Sequence, residues 1–266
     1  FDYGSLYSLR SGTAAFYERA IRSATRNISG PRSGCTNSIL PACGVLNLPY
    51  FYEGCTCSYP LPTGAALASM PESYEQWAAW GPCDTTDIQR IGINFGAPGD
   101  RVTREGTLWL DVPSVGGPSP EIDVAMEPAE PAFWYRHSLW VESGNAWPWV
   151  AASGVEGLAS FTLRGLKPGT YTVRLTFAEP NTQQQNERVQ DVVLQGTRVL
   201  EKLDIIAVTG GPMRSVVREY RGISTDGSLT LQLSAEKGTT LISGIELIRD
   251  GLKIEPFRDN ESLLRP

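Results

Sequence analysis

The nine residues Tyr171–Glu179, YTVRLTFAE, decide the fold class. Tyr171, Val173, Leu175 and Phe177 fall on one side of an extended chain, and Thr172, Arg174 and Thr176 on the other. That period of two marks a strand with one face in a core. The preceding KPGT, 167–170, reads as a turn, with proline presetting φ and glycine free to take a positive value. The same pattern recurs in RVQDVVLQG (188–196), RVLEKLDII (198–206), RSVVREYRGIST (214–225), SLTLQLS (228–234) and LISGIELIRD (241–250). Gln195-Gly196, Gly210-Gly211 and Asp226-Gly227 punctuate these runs as turns. No amphipathic helix of about 10–15 residues separates them, which argues against a parallel βαβ sheet. The fold class is therefore mainly β: a jelly-roll-type antiparallel β-sandwich over residues 89–250. Residues 1–88 are expected to form a cysteine-rich, loop-rich segment, and 251–266 a flexible or docking tail. Within the first segment, SGTAAFYERAIRSATRNI (11–28) fits either a helix or a strand followed by a loop.

The composition supports a globular, turn-rich chain: 266 residues, 41% hydrophobic and 20% charged, with 27 glycines and 19 prolines. A formal charge of −6 argues against a nucleic-acid partner, which would need clustered Lys and Arg. No apolar run approaches the roughly 20 residues of a membrane span. The opening FDYGSLYSLR has no initiator methionine and is expected to be an interior cut, with targeting information lying elsewhere.

Four of the five cysteines, Cys35, Cys43, Cys55 and Cys57, fall in GCTNSILPACGVLNLPYFYEGCTC (34–57), and the fifth is Cys83. Their spacings do not match the C-x2-C pairs of zinc sites, and His137 is the chain's sole histidine. The expectation is two disulfides in an oxidising compartment with one thiol left over, Cys83 or Cys43, and no metal. Connectivity cannot be read from spacing.

The densest aromatic stretch is AFWYRHSLWVESGNAWPWV (132–150). Trp134, Tyr135, Trp140, Trp147 and Trp149, with His137, are the candidate ligand-binding residues. Large rings on a Pro-flanked segment suit either a glycan platform or a protein hot spot, and the competing expectation is that most of them fill the core. His137 has no recognisable nucleophile or orienting carboxylate near it in sequence. Glu121, Asp123, Glu127 and Glu130 lie in the Pro-rich PSPEIDVAMEPAEP (118–131), which reads as a solvated loop rather than a glycosidase pair. No D-x-D-x-D-G loop is present, so no EF-hand-like calcium site is expected and no cofactor is implied; a structural calcium held by scattered loop oxygens would leave no such motif. NIS at Asn27 and NES at Asn260 match the glycosylation sequon.

Two family resemblances follow from these segments. RIGINFGAPGD (90–100), GTLWLD (106–111), YTVRLTFAE, RVQDVVLQG, VLEKLDI and LISGIELI occur in the order of the core strands of malectin-like domains. That resemblance implies a β-sandwich and a non-catalytic exported module that binds a glycan or polysaccharide between loops. The sugar-binding members carry two adjacent aromatics after the Ala-Glu that ends YTVRLTFAE, where this chain has Asn181 and Thr182 behind Pro180. SLRSGTAAFYE (8–18), residues 30–60 and ALASMPE (66–72) resemble the end of bacterial exported PQQ-like β-propeller proteins. That second resemblance implies a closing strand beside a propeller, and a propeller chain or a second copy as partner. The alternative function is a structural, assembly-type protein-interaction module in the same extracytoplasmic setting.

Overall fold

The computed structural model describes residues 2–11, 13–20, 22–28, 39–49, 64–68, 70–71, 73–116, 118–181 and 184–252. At its centre lies the strand Gly169–Ala178, with Tyr171, Val173, Leu175 and Phe177 all fully buried. It is the third strand of a seven-stranded sheet. The sheet order is Ser143–Gly144, Arg214–Thr225, Gly169–Ala178, Gly244–Arg249, Arg90–Phe95, Leu108–Val112, Arg101–Val102. A five-stranded sheet runs Val124–Glu127, Ser160–Arg164, Ser228–Lys237, Val189–Leu194, Thr197–Leu203. The inward residues of both sheets form one hydrophobic cluster, in which Phe95 and Phe161 meet edge to face at 5.3 Å. This is a β-sandwich, as the alternation predicts. A further small sheet, Ala132–Tyr135, Ser153–Glu156 and Leu241–Ile242, lays Phe133 and Trp134 against the same core.

Several local expectations need correction. The sandwich is not wholly antiparallel: Arg90–Phe95 pairs in parallel with Leu108–Val112, and Ser143–Gly144 with Arg214–Thr225. The first case arises because the crossover 96–107 turns back through Arg101–Val102, which pairs antiparallel with Leu108–Val112 and so restores the chain direction. The run RVLEKLDII does not stay extended to its end. Asp204 Oδ1 accepts the Ala207 N–H at 2.9 Å, capping a short helix over Ile205–Thr209 that Gly210 ends at φ 79°. Within PSPEIDVAMEPAEP, Val124–Glu127 is an edge strand rather than loop.

Part of the first 88 residues is strand rather than loop, while 73–87 is irregular and carries only isolated bridges. Leu6–Ser11, Thr13–Glu18 and Arg26–Ile28 form one antiparallel sheet, and Leu40–Ala42, Val45–Leu48 and Ala65–Ala68 another. The open choice at residues 13–18 is settled as a strand because Thr13–Glu18 pairs on both edges. Ala14, Ile28, Ile39 and Leu48 make the small core these strands share.

Cys43 and Cys83 are both free and exposed. Two disulfides would need four of the five cysteines, so the expected pair of bridges with a single leftover thiol does not form. Cys43 sits in the turn between Leu40–Ala42 and Val45–Leu48 at φ 54°. Cys35, Cys55 and Cys57 lie outside the described residues, as do Asn260 and the tail from 253. Thiol titration of the native chain should therefore find at least two reactive cysteines. Cys83 should react more slowly than an ordinary thiol, because partial burial and the charges of Asp84 and Asp100 push its pKa up.

The strand Gly169–Ala178 is followed by Glu179, which is fully buried. Arg188 Nε donates to Glu179 Oε2 at 2.7 Å, while its other nitrogens reach Thr239 O at 2.8 Å and Glu156 Oε2 at 3.2 Å. Burial pushes the Glu179 carboxyl up, and Arg188 opposes it. Arg188→Ala would strand this carboxylate and is expected to cost about 3–5 kcal/mol in chemical unfolding. Adding Glu179→Gln should recover a large part of that loss; a cost below about 1 kcal/mol for the single change would refute the role.

Candidate binding site

The structure separates the candidate aromatics by burial. Trp149 is fully buried: its indole meets Trp109 edge to face at 5.6 Å and Trp77 at 6.3 Å, and Trp147 stacks on it at 5.8 Å. Arg101 lies 4.5 Å from the Trp149 ring centre, adding a cation–π contact. Trp149 thus has no face left for a ligand, and Trp147 is half-buried against it. Trp134 is half-buried over the bare backbone of Gly154, where a Cβ would stand 2.8 Å from its Nε1. Tyr135, His137 and Trp140 remain outward: Tyr135 is 40% exposed, Trp140 60%, and Leu139 between them 70%.

Tyr135 and His137 are organised by a side chain that sequence reading missed, Glu75. Its carboxylate accepts from the Tyr135 hydroxyl, from Trp77 Nε1 at 2.8 Å and from the Ser138 N–H at 3.0 Å. His137 Nε2 lies 3.1 Å from Glu75 Oε2, and His137 Nδ1 accepts the Leu139 N–H at 3.1 Å. Those two bonds orient the imidazole, with Nε2 carrying the proton. No local signal in PESYEQWAAW (71–80) announces this role, since its partners are about 60 residues away. Burial pushes the Glu75 carboxyl up, but the bonds from Tyr135, Ser138 and Trp77 outweigh it and hold it below the usual carboxylate range. Ser138 Oγ also donates to Glu75, at 3.2 Å, and so is not presented to the histidine as a nucleophile.

Glu75 and Trp77 also line a cavity of about 950 Å³ against the first small sheet. Its wall is amphipathic: Arg26 Nη1 donates to Gln76 Oε1 at 2.8 Å and stands 3.7 Å from Glu18 Oε2, while the Arg26 guanidinium lies 5.7 Å from the Phe16 ring centre. The volume is at the upper end for a small-molecule site, and the lining mixes apolar surface with a few polar groups. Among the described residues no group of three or more His, Cys, Asp or Glu gathers as a metal site. Glu121, Asp123, Glu127 and Glu130 are all exposed, Asp123 paired with Arg164 at 2.8 Å.

Residues 156–255 match the Malectin domain. The kinesin-like protein KIN-14E of Oryza sativa subsp. japonica is 31% identical over 114 residues, 40% of this chain. A Bacteroides uniformis β-glucuronidase superposes with a TM-score of 0.49 at 16% identity, covering 92% of this chain. The ANX2 ectodomain from Arabidopsis thaliana does so with a TM-score of 0.46 at 17% identity, covering 70% of this chain and 56% of that one. The chain spans only 11% of the kinesin-like protein and 26% of the glucuronidase chain. The comparisons give no support to the propeller resemblance of residues 1–88. The match begins after the rim: Tyr135, His137 and Trp140 precede residue 156.

The Glu75–Tyr135 bond has a titration signature. Burial first, and then the bond to Glu75 and its charge, push the Tyr135 hydroxyl up to about 12. The folded pKa is raised, so its contribution to stability is present below about pH 10 and is lost as pH rises through about 12. The ultraviolet difference titration between the native chain and Tyr135→Phe should show one tyrosinate forming near pH 12. In a Glu75→Gln background that transition should move toward 10; an unmoved transition would contradict the geometry.

Proposed function

We propose that the chain is a non-catalytic carbohydrate-binding module of an extracytoplasmic protein, which holds a glycan or polysaccharide on the Tyr135–Trp140 rim beside the Glu75 cavity. The observation that carries this reading is that Tyr135 and Trp140 are both exposed and that Tyr135 is bonded to a carboxylate, Glu75, which also holds the His137 imidazole. Rings stack on the apolar face of a pyranose, and oriented polar groups hold its hydroxyls. The Malectin match supports a binding module rather than an enzyme. So does Ser138, whose hydroxyl is committed to Glu75. The facing carboxylates Asp100 and Asp111 stand within hydrogen-bonding reach of each other and are sealed from solvent. A glycosidase needs its pair about 5–10 Å apart in an open cleft. The exposed thiols withdraw the disulfide argument for export, so the location rests on the family match.

One observation favours assembly instead: Leu139 is a bare aliphatic side chain, 70% exposed and adjacent to Trp140. On that reading the same rim packs on a protein, including a second copy of the chain.

A glycan array followed by calorimetry separates the two. Binding of a sugar that Trp140→Ala weakens about tenfold or more, a loss of ~1.4 kcal/mol, with Leu139→Ser unchanged, supports the module reading. Absence of binding at millimolar sugar, together with a dimer by light scattering that Leu139→Ser dissociates, overturns it in favour of assembly.

A further inference from the structure

The crossover that precedes Leu108–Val112 carries Asp100, and that strand carries Asp111. Asp100 is 0% and Asp111 4% exposed. Each carboxylate is satisfied on one oxygen alone. Asp100 Oδ2 accepts from the Trp80 N–H at 3.1 Å and from Ser119 Oγ at 2.6 Å, and Asp111 Oδ2 accepts from the Val115 N–H at 2.8 Å. The other oxygen of each, Oδ1, is buried with no hydrogen-bond partner. The two carboxyl groups come within hydrogen-bonding reach of each other, so acceptor faces acceptor. None of the salt bridges among the described residues involves either aspartate, whereas the buried Glu179 and Glu246 each meet a guanidinium.

Two buried acceptors in this arrangement repel unless positive charge lies between them. We propose that Asp100 and Asp111 hold a calcium ion that ties Val115 and Ser119 to the segment around Ala78–Trp80. The donors at hand are all oxygens, two carboxylates with the Ser119 hydroxyl beside them, which selects a hard cation over zinc or copper. Calcium takes an irregular shell of about 6–8 oxygens, whereas magnesium demands a near-regular octahedron. The tie reaches both segments by bonds already present. Val115 donates to one aspartate and Ser119 to the other, while Asp100 exchanges backbone hydrogen bonds of 2.9 Å with Ala78 in both directions. Glu75 and Trp77 lie just upstream of that pairing. The proposal stands independently of the carbohydrate reading.

The test uses the purified chain stripped with chelator at pH 7.5. One calcium per chain should be retained after dialysis against micromolar metal, measured by atomic emission. At about a hundredfold excess over its Kd, calcium should raise Tm by roughly 5–10 °C. Asp111→Asn and Asp100→Asn keep the acceptor shape but remove the charge, and each should abolish both the retained metal and the shift. An unchanged Tm with no retained calcium overturns the proposal and leaves a shared proton between the pair. A shift of equal size in the native chain and both variants overturns it too, by placing the ion elsewhere.

Discussion

The packing of Trp149 against Trp109 is the contact on which the arrangement of this molecule turns. It needs two adjacent strands of the large sheet to offer bare backbone. A Cβ on Gly92 would stand 2.1 Å from Trp109 Cδ2, and one on Gly244 would lie 2.7 Å from Val150 Cγ1 and 3.2 Å from Trp109 Cζ3. With glycine at both positions the Trp109 ring lies flat on the sheet, and Trp149, Trp147 and Trp77 assemble around it. The cluster gathers residues 77, 109 and 147–149, three stretches far apart in the chain. Its consequence reaches the surface. The aromatic segment is fastened at one end by the strand Ala132–Tyr135 and at the other by Trp147–Trp149. The residues between can then present Leu139 and Trp140 to solvent without loss of anchorage.

The sandwich was legible in the sequence because a strand with one buried face writes its burial as alternation: Tyr171, Val173, Leu175 and Phe177 are buried as read. What alternation does not encode is which of several aromatics in one segment goes inward. Trp140 and Trp149 have the same side chain, yet one is 60% exposed and the other buried, and the difference is made by Gly92, Gly244 and Trp109 elsewhere in the chain. Glu75 was invisible for a similar reason, since its partners Tyr135, His137 and Ser138 are about 60 residues distant. The helix at Ile205–Thr209 was missed although its signals, Asp204 and Gly210, were in plain view; the apolar run that ends RVLEKLDII outweighed them. The cysteine spacing suggested two bridges because loop sequence alone does not show that a tight turn points Cys43 outward.

Buried carboxylates in this sandwich are handled in two ways. Glu179 and Glu246 are compensated within the chain, the first by Arg188 and the second by Arg174 and Arg90 at 3.0 and 3.7 Å. Glu246 meets arginines on the two strands that flank its own, while Glu179 and Arg188 sit just outside strands of the two different sheets and join them. Asp100 sits instead on a crossover and Asp111 on the strand Leu108–Val112, and there burial, with the like charge of Asp100 added, pushes the Asp111 carboxyl up to about 6. On the calcium proposal the compensating charge there comes from outside the chain, whereas the guanidinium pairs supply theirs from within it.

The same division bears on how a shared sandwich acquires a site of its own. The Malectin match, 156–255, covers the strands whose alternating residues fill the core, and such strands are constrained by packing whatever the module binds. The place after Ala178-Glu179 is occupied here by a structural knot: Glu179 is buried on Arg188, and the Asn181 N–H turns back to it at 3.3 Å. Chain committed to satisfying a buried charge is poorly suited to displaying aromatic faces. The displayed aromatics lie instead on the segment before residue 156, anchored by the tryptophan cluster and ordered by a carboxylate from the segment that precedes the sandwich. Recognition on this chain is therefore expected to depend on residues 71–80 as much as on the sandwich, because without Glu75 the hydroxyl of Tyr135 and the imidazole of His137 lose the one group that orients them both.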